Sequence, residues 1–149
     1  MNKMKTLEFK ININASPDKV WQSLWEPENY KIWTNPFCEG SYYKTDSFTE
    51  GNKIHLLTPS GEGMYSVLDR IEENHFLAFK HLGDIKNFEE IPITSESGSW
   101  SGAMETYTLN TTESGTELIV NVDTLEKYID FMNNTFPLAL KELKRISEN

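Results

Sequence analysis

Cysteine is almost absent: the single Cys38 among 149 residues cannot form an intramolecular disulfide, which excludes a disulfide-stapled scaffold. Histidine is nearly as scarce, with 3 in the chain and no H-x-x-x-H or C-x-x-C spacing, so no metal site is expected. Long apolar runs are missing as well. Nothing approaches the ~18 consecutive apolar residues of a membrane span, and MNKMKTLEFK has neither the apolar stretch nor the small-residue cleavage site of a secretory signal. A soluble cytoplasmic protein is the expectation. Positive charge is also in short supply: 14 Lys and Arg against 23 Asp and Glu leave a net charge of -9, which repels phosphate backbones and anionic headgroups. That argues against nucleic acid and membrane surfaces as partners. What the chain does have is 38% hydrophobic and 12% aromatic content at the length of one ordinary domain, enough to bury a core unaided. A single domain over 1–149 without a cofactor is expected.

Residues 5–14 alternate strictly, with Leu7, Phe9, Ile11 and Ile13 on one face, and predict a half-buried strand. Ala15-Ser16-Pro17-Asp18 then reads as a helix start: Ser16 as cap, Pro17 at the first helical position, Asp18 at the positive end of the dipole. The helix should run from Pro17 to Trp25 on a Val20, Trp21, Leu24 stripe, and Pro27 should stop it, with a second short helix or turn around Trp33. From Gly40 to Asp123, short alternating stretches are divided by turn residues. They predict strands near 41–48, 53–58, 63–72, 75–82, 100–110 and 116–123, joined as an antiparallel meander. The polar stretch 83–99 reads as a surface excursion.

The last segment is the most periodic. Leu125, Ile129, Met132, Phe136, Leu140 and Leu143 recur at helical spacing, predicting a helix over 125–147 of roughly 35 Å with Thr124 as cap. Pro137 should kink it or make it restart with Thr135 as a new cap. Strand, short helix, antiparallel strands and a long closing helix make an α+β layout in which a curved antiparallel sheet wraps the C-terminal helix.

Several pieces carry a family resemblance: Asn14-Ala15-Ser16-Pro17-Asp18-Lys19-Val20-Trp21, Pro27-Glu28-Asn29-Tyr30 with Trp33, and Glu105-Thr106-Tyr107-Thr108-Leu109. Gly115-Thr116-Glu117-Leu118 and the tail Phe136-Pro137-Leu138-Ala139-Leu140-Lys141-Glu142-Leu143-Lys144 complete the set. In this order the chain resembles the helix-grip (SRPBCC, START-like and pollen-allergen-like) superfamily. In particular it resembles the small bacterial branch of the family named for the activator of the heat-shock protein 90 ATPase. The resemblance spans essentially the whole chain and implies the helix-grip fold, with a cavity between sheet and closing helix for a hydrophobic or amphipathic small molecule. No catalytic signature is among the matching residues, so none is carried over.

Alternation nominates the lining of that cavity. With Leu118, Val120 and Val122 inward on the last strand, Ser101, Ala103, Glu105 and Tyr107 form the inward set beside it. Leu77, Phe79 and His81 share one face of the strand over 75–82, Tyr65 and Val67 one face of the strand before it, and Trp33, Met132 and Phe136 come from the helices. An apolar pocket with a few placed polar groups, here His81, Glu105, Tyr65 and Tyr107, is the usual form of a ligand site. The same residues would also line a filled core, and a register slip of one residue would turn Glu105 and His81 outward.

If Glu105 faces inward, burial raises its pKa unless His81 or a tyrosine hydroxyl meets it, which makes it the candidate acid/base of a lyase- or cyclase-like enzyme. No Ser/His/Asp or Cys/His spacing supports nucleophilic catalysis, and Cys38, in an aromatic neighbourhood, reads as a packed thiol. The acidic residues around Phe88 and Ile91 offer an alternative function, a docking segment of a co-chaperone-like module that interacts with heat-shock protein 90.

Overall fold

Strand alternation and short turns build one sheet, and two amphipathic helical regions cover one of its faces. The computed structural model describes residues 4–149. In chain order the elements are β1 (Met4–Ile13), α1 (Pro17–Trp25), α2 (Pro27–Trp33), β2 (Tyr42–Lys44), β3 (Lys53–Leu57), β4 (Gly63–Glu72), β5 (Phe76–Lys86), β6 (Glu89–Glu90), β7 (Met104–Thr112), β8 (Gly115–Leu125) and α3 (Ile129–Ser147). The antiparallel sheet runs β1-β8-β7-β5-β4-β3-β2, with the short β6 folded back on β5. Because β1 and β2 lie at opposite edges, α1 and α2 carry the chain across the full width of the sheet.

The α+β architecture matches the sequence expectation, and the departures have local causes. Pro17 starts α1 as expected, and Ser16 takes the extended cap conformation, but its side chain makes no capping hydrogen bond to the helix. The expected strand over 41–48 shrinks to Tyr42–Lys44. The strand over 100–110 starts only at Met104, because Trp100 to Ala103 form turns closed by Ser101 N–H donating to Ser97 O and Ala103 N–H donating to Trp100 O. Nor is 83–99 wholly an excursion. β5 continues to Lys86, buries Ile85 and turns back through Asn87 and Phe88, both at positive φ. The closing helix begins at Ile129 rather than Leu125: β8 runs to Leu125, a 3-10 turn occupies Glu126–Tyr128, and Thr124 stays in the strand. Its 19 residues span about 28 Å. Pro137 lies within an unbroken helix, so neither a restart nor a Thr135 cap occurs.

The largest departure from the sequence expectation is in β4. Ser66 opposes His81 and Leu68 opposes Phe79, so Ser66 and Leu68 face inward, whereas the sequence reading turned Tyr65 and Val67 that way. The register shifts between Tyr65 and Ser66, leaving Leu82 as an extra residue on β5. Tyr65 therefore packs with Leu57 and Ile85 in a separate cluster on the outer face, where its hydroxyl donates to Ile91 O at 3.0 Å. Any side chain at Gly83 would collide with that ring.

The main core joins the inner faces of β1, β5, β7 and β8 to α1, α2 and α3, with Phe136, Ala139, Leu140 and Leu143 contributed by the closing helix. Leu143 is fully buried and Leu138, on the same helix, is 56% exposed. Leu143→Ala should cost about 2–5 kcal/mol in urea denaturation, whereas Leu138→Ala should stay within about 0.5 kcal/mol. Equal effects would mean that α3 is not seated as described.

Candidate functional site

The polar centre of the inner face comes from three adjacent strands. Phe79 opposes Glu105 across β5 and β7, and Glu105 opposes Val122 across β7 and β8, so the carboxylate projects from a row of otherwise apolar side chains. His81, one pleat further along β5, reaches it: Nε2 lies 3.0 Å from Glu105 Oε1. Tyr107, two residues on in β7, donates its hydroxyl to Glu105 Oε2. Behind the imidazole, Ser66 Oγ lies 2.7 Å from Nδ1. Ser66, His81 and Tyr107 are buried, and Glu105 keeps 18% of its side chain accessible.

Burial pushes the Glu105 carboxyl up. The hydrogen bond from His81, the positive charge that ring carries when protonated and the Tyr107 hydroxyl more than offset this, holding the group below its ordinary 4.5. The carboxylate in turn helps to hold the Tyr107 hydroxyl well above its ordinary 10.0, the larger cause being burial. An ionised carboxylate only accepts, so Nε2 of His81 is the donor. Among the described residues His81 Nδ1 is the one partner of Ser66 Oγ, a contact that holds the ring with Nε2 toward the carboxylate. Ser66, His81 and Glu105 are the residue types of a hydrolytic triad with the ring reversed. The serine meets Nδ1 and the acid Nε2, and Ser66 is fully buried where no substrate reaches it.

Two hollows, of about 320 and 240 Å³, adjoin this centre between the sheet and α3. Both are bordered by Met64, Glu105, Val122 and Met132, so Glu105 stands where they meet. His81 and Ala103 line the larger hollow, whose rim carries the exposed Tyr128 and Phe131. Trp33, Tyr107 and Phe136 line the smaller one with Tyr30 and Phe37. The remaining residues nominated from sequence lie elsewhere. Leu77, Phe79 and Val120 are packed into the core beneath, Tyr65 and Val67 lie on the outer face, and Ser101 sits in the turn before β7. Met64, Ser66, Tyr30 and Phe37 were missed. Met64 and Ser66 alternate with the chosen Tyr65 and Val67, so the right β4 register would have found both. Cys38 is exposed and not packed as expected. No group of three metal-ligating side chains occurs among the described residues.

No protein-family model matches the sequence, and no curated protein does. Solved structures do. The Aha1 dimer of Colwellia psychrerythraea superposes with a TM-score of 0.72 at 21% identity, over 97% of this chain and 96% of that one. A protein of unknown function from Staphylococcus aureus gives 0.72 at 14% identity, over 99% and 95%. An AHSA1-like protein of Aeromonas hydrophila gives 0.66 at 13% identity, over 97% and 92%. The chain has the helix-grip fold. Within this helix-grip architecture, the sheet presents Glu105 on the inner face, where strand alternation with Val122 had placed it.

Linkage gives the site a pH signature. The folded Glu105 pKa lies below its ordinary value, so its contribution to stability is complete above about pH 4.5 and is lost as pH falls through the folded value. Urea denaturation from neutral to strongly acidic pH should show this loss in the wild type, and Glu105→Gln should lack that component. An identical acid profile in both proteins would remove Glu105 from the linkage.

Proposed function

We propose that this chain is a cytoplasmic, single-domain binding protein for a hydrophobic or amphipathic small molecule held between the sheet and α3. The observation supporting this most directly is the pair of adjoining hollows, walled mostly by apolar and aromatic side chains and meeting at one ionised carboxylate. Their sizes approach those of small-molecule sites, and a few convergent polar groups on an apolar wall are what such sites use to orient a ligand. Among the described residues no helix is long and apolar enough to cross a membrane.

General acid/base catalysis by Glu105 has weaker support. A carboxylate held below its ordinary pKa is a poor proton donor and a weak base near neutrality. The co-chaperone reading draws on the likeness to the Aha1 dimer and on Phe88 and Ile93, 57% and 53% exposed in the acidic segment after β5. It requires stimulation of the cognate heat-shock protein 90 ATPase by the purified protein, abolished by Phe88→Ser with Ile93→Ser.

The binding reading is tested with N-phenyl-1-naphthylamine, a neutral probe that fluoresces in apolar surroundings. Ala103→Phe fills the larger hollow and should weaken its binding about tenfold, about 1.4 kcal/mol, while Val67→Phe on the outer face should not. Equal affinity of wild type and Ala103→Phe, or no binding at all, would count against a ligand in this space.

A further inference from the structure

The charged side chains facing the two hollows, His81 aside, are carboxylates. Among the described residues no Lys or Arg lines either of them. Glu105 stands at their junction, ionised, 3.0 Å from His81 Nε2 and accepting from the Tyr107 hydroxyl. A carboxylate offers about four acceptor positions, of which these donors occupy two. Asp84 adds a second carboxylate to the wall, on a pleat that alternates with the outward Gly83 and Ile85. Asp123 also borders the larger hollow, but its oxygens already accept from Thr6 Oγ1 at 2.6 Å and Met104 N–H at 3.0 Å. Lys127, beside the rim, lies with its Nζ over the Tyr128 ring, 5.2 Å from its centre, and 3.9 Å from the Glu96 carboxylate.

The smaller hollow adds aromatic faces. Tyr30, Trp33, Phe37, Tyr107 and Phe136 wall it, with Glu105 as its charged group. Aromatic faces attract cations through the ring quadrupole, more strongly where water is excluded, and a carboxylate beside them supplies the counter-charge. An anionic head would meet the reverse: like charge from Glu105 and Asp84, and no Lys or Arg among the lining residues to neutralise it.

We infer that the ligand of this site carries a positively charged head, an alkyl- or arylammonium group, seated against Glu105 where the two hollows meet, with its apolar part along their walls. This rests on the small-molecule reading above and specifies its ligand class. The head completes the hydrogen-bonding shell of Glu105, and the aromatic rings take the methylenes beside it.

Three probes sharing one tail test it: n-octylammonium, 1-octanol and n-octanoate, titrated calorimetrically at neutral pH below their aggregation limits. Octylammonium should bind about tenfold more tightly than octanol, with octanoate weakest. Glu105→Gln should bring the ammonium-to-octanol ratio close to one, whereas Val67→Phe should preserve it. Octanoate binding as well as or better than octylammonium would overturn the inference and leave the small-molecule reading standing. Failure of all three probes to bind would defeat both. Preference for ammonium that survives in Glu105→Gln would overturn the assignment to Glu105. Circular dichroism checks that the variant is folded; if it is not, the wild-type series alone still separates a cationic from an anionic or neutral preference.

Discussion

Keeping the Glu105 carboxylate charged inside an apolar wall is the constraint to which the neighbouring residues answer. Its row across the sheet runs Leu7, Val122, Glu105, Phe79 and Leu68, four hydrocarbon neighbours around one charge. An isolated carboxylate there would be costly enough to take up a proton instead. Partners from two strands prevent that, and His81 depends on a third strand, because the Ser66 hydroxyl at its Nδ1 holds the ring in place. Three strands must therefore stay in register for one side chain to remain ionised. A slip of one residue in β4, β5 or β7 would leave the charge buried without its partners, so the polar chain specifies the pairing that the apolar pattern alone leaves open.

The rest of the wall is held by aromatic rings packed on one another, two of them tied by hydrogen bonds to α1. Trp25 meets Trp33, Phe79 and Tyr107 edge to face, at centroid distances of 6.2, 5.5 and 4.9 Å, and so joins α1 to α2 and to the middle of the sheet. Trp33 Nε1–H donates to Leu24 O at 2.9 Å and Tyr43 hydroxyl to Trp25 O at 2.5 Å, fixing the orientation of both helices. Rings pinned at both ends cannot rotate freely into neighbouring space. On the other side, Phe136 stacks on Phe9 at 4.8 Å and meets Phe37 edge-on at the same distance, which ties α3 to β1 and to the segment after α2.

Much of this was legible in the residues, and the limits have physical causes. Leu118, Val120 and Val122 alternate without interruption in β8. Pairing that strand with β7 put Glu105 and Tyr107 inward correctly, since no bulge disturbs that ladder. The inward face of β4 is not legible in the sequence because both of its residue sets contain apolar members. Tyr65 and Val67 are more hydrophobic than Ser66, and the outer cluster that accepts Tyr65 is built by Leu57 and Ile85 from other strands. The stripe of α3 is legible from Phe136 onward, but its start is not, because Leu125 continues both the helical spacing and the alternation of β8. The role of Ser66 could not be read locally at all: it exists only through a partner 15 residues away.

The extra residue at Leu82 gives β5 an unusual position in the molecule. Up to His81 the strand's inner face belongs to the interior that faces α3; beyond Leu82, Gly83 and Ile85 seat Tyr65 and the outer cluster under the β5–β6 hairpin, while Asp84 borders the larger hollow. That hairpin is clasped to β3, with Glu90 bound by Lys53 at 3.0 Å and His55 at 2.8 Å. One continuous strand is thus a party wall between two cores, and its parity is set by a single residue. Deleting Leu82 would exchange inside for outside along one half of β5, so the length of this stretch is as tightly fixed as its composition.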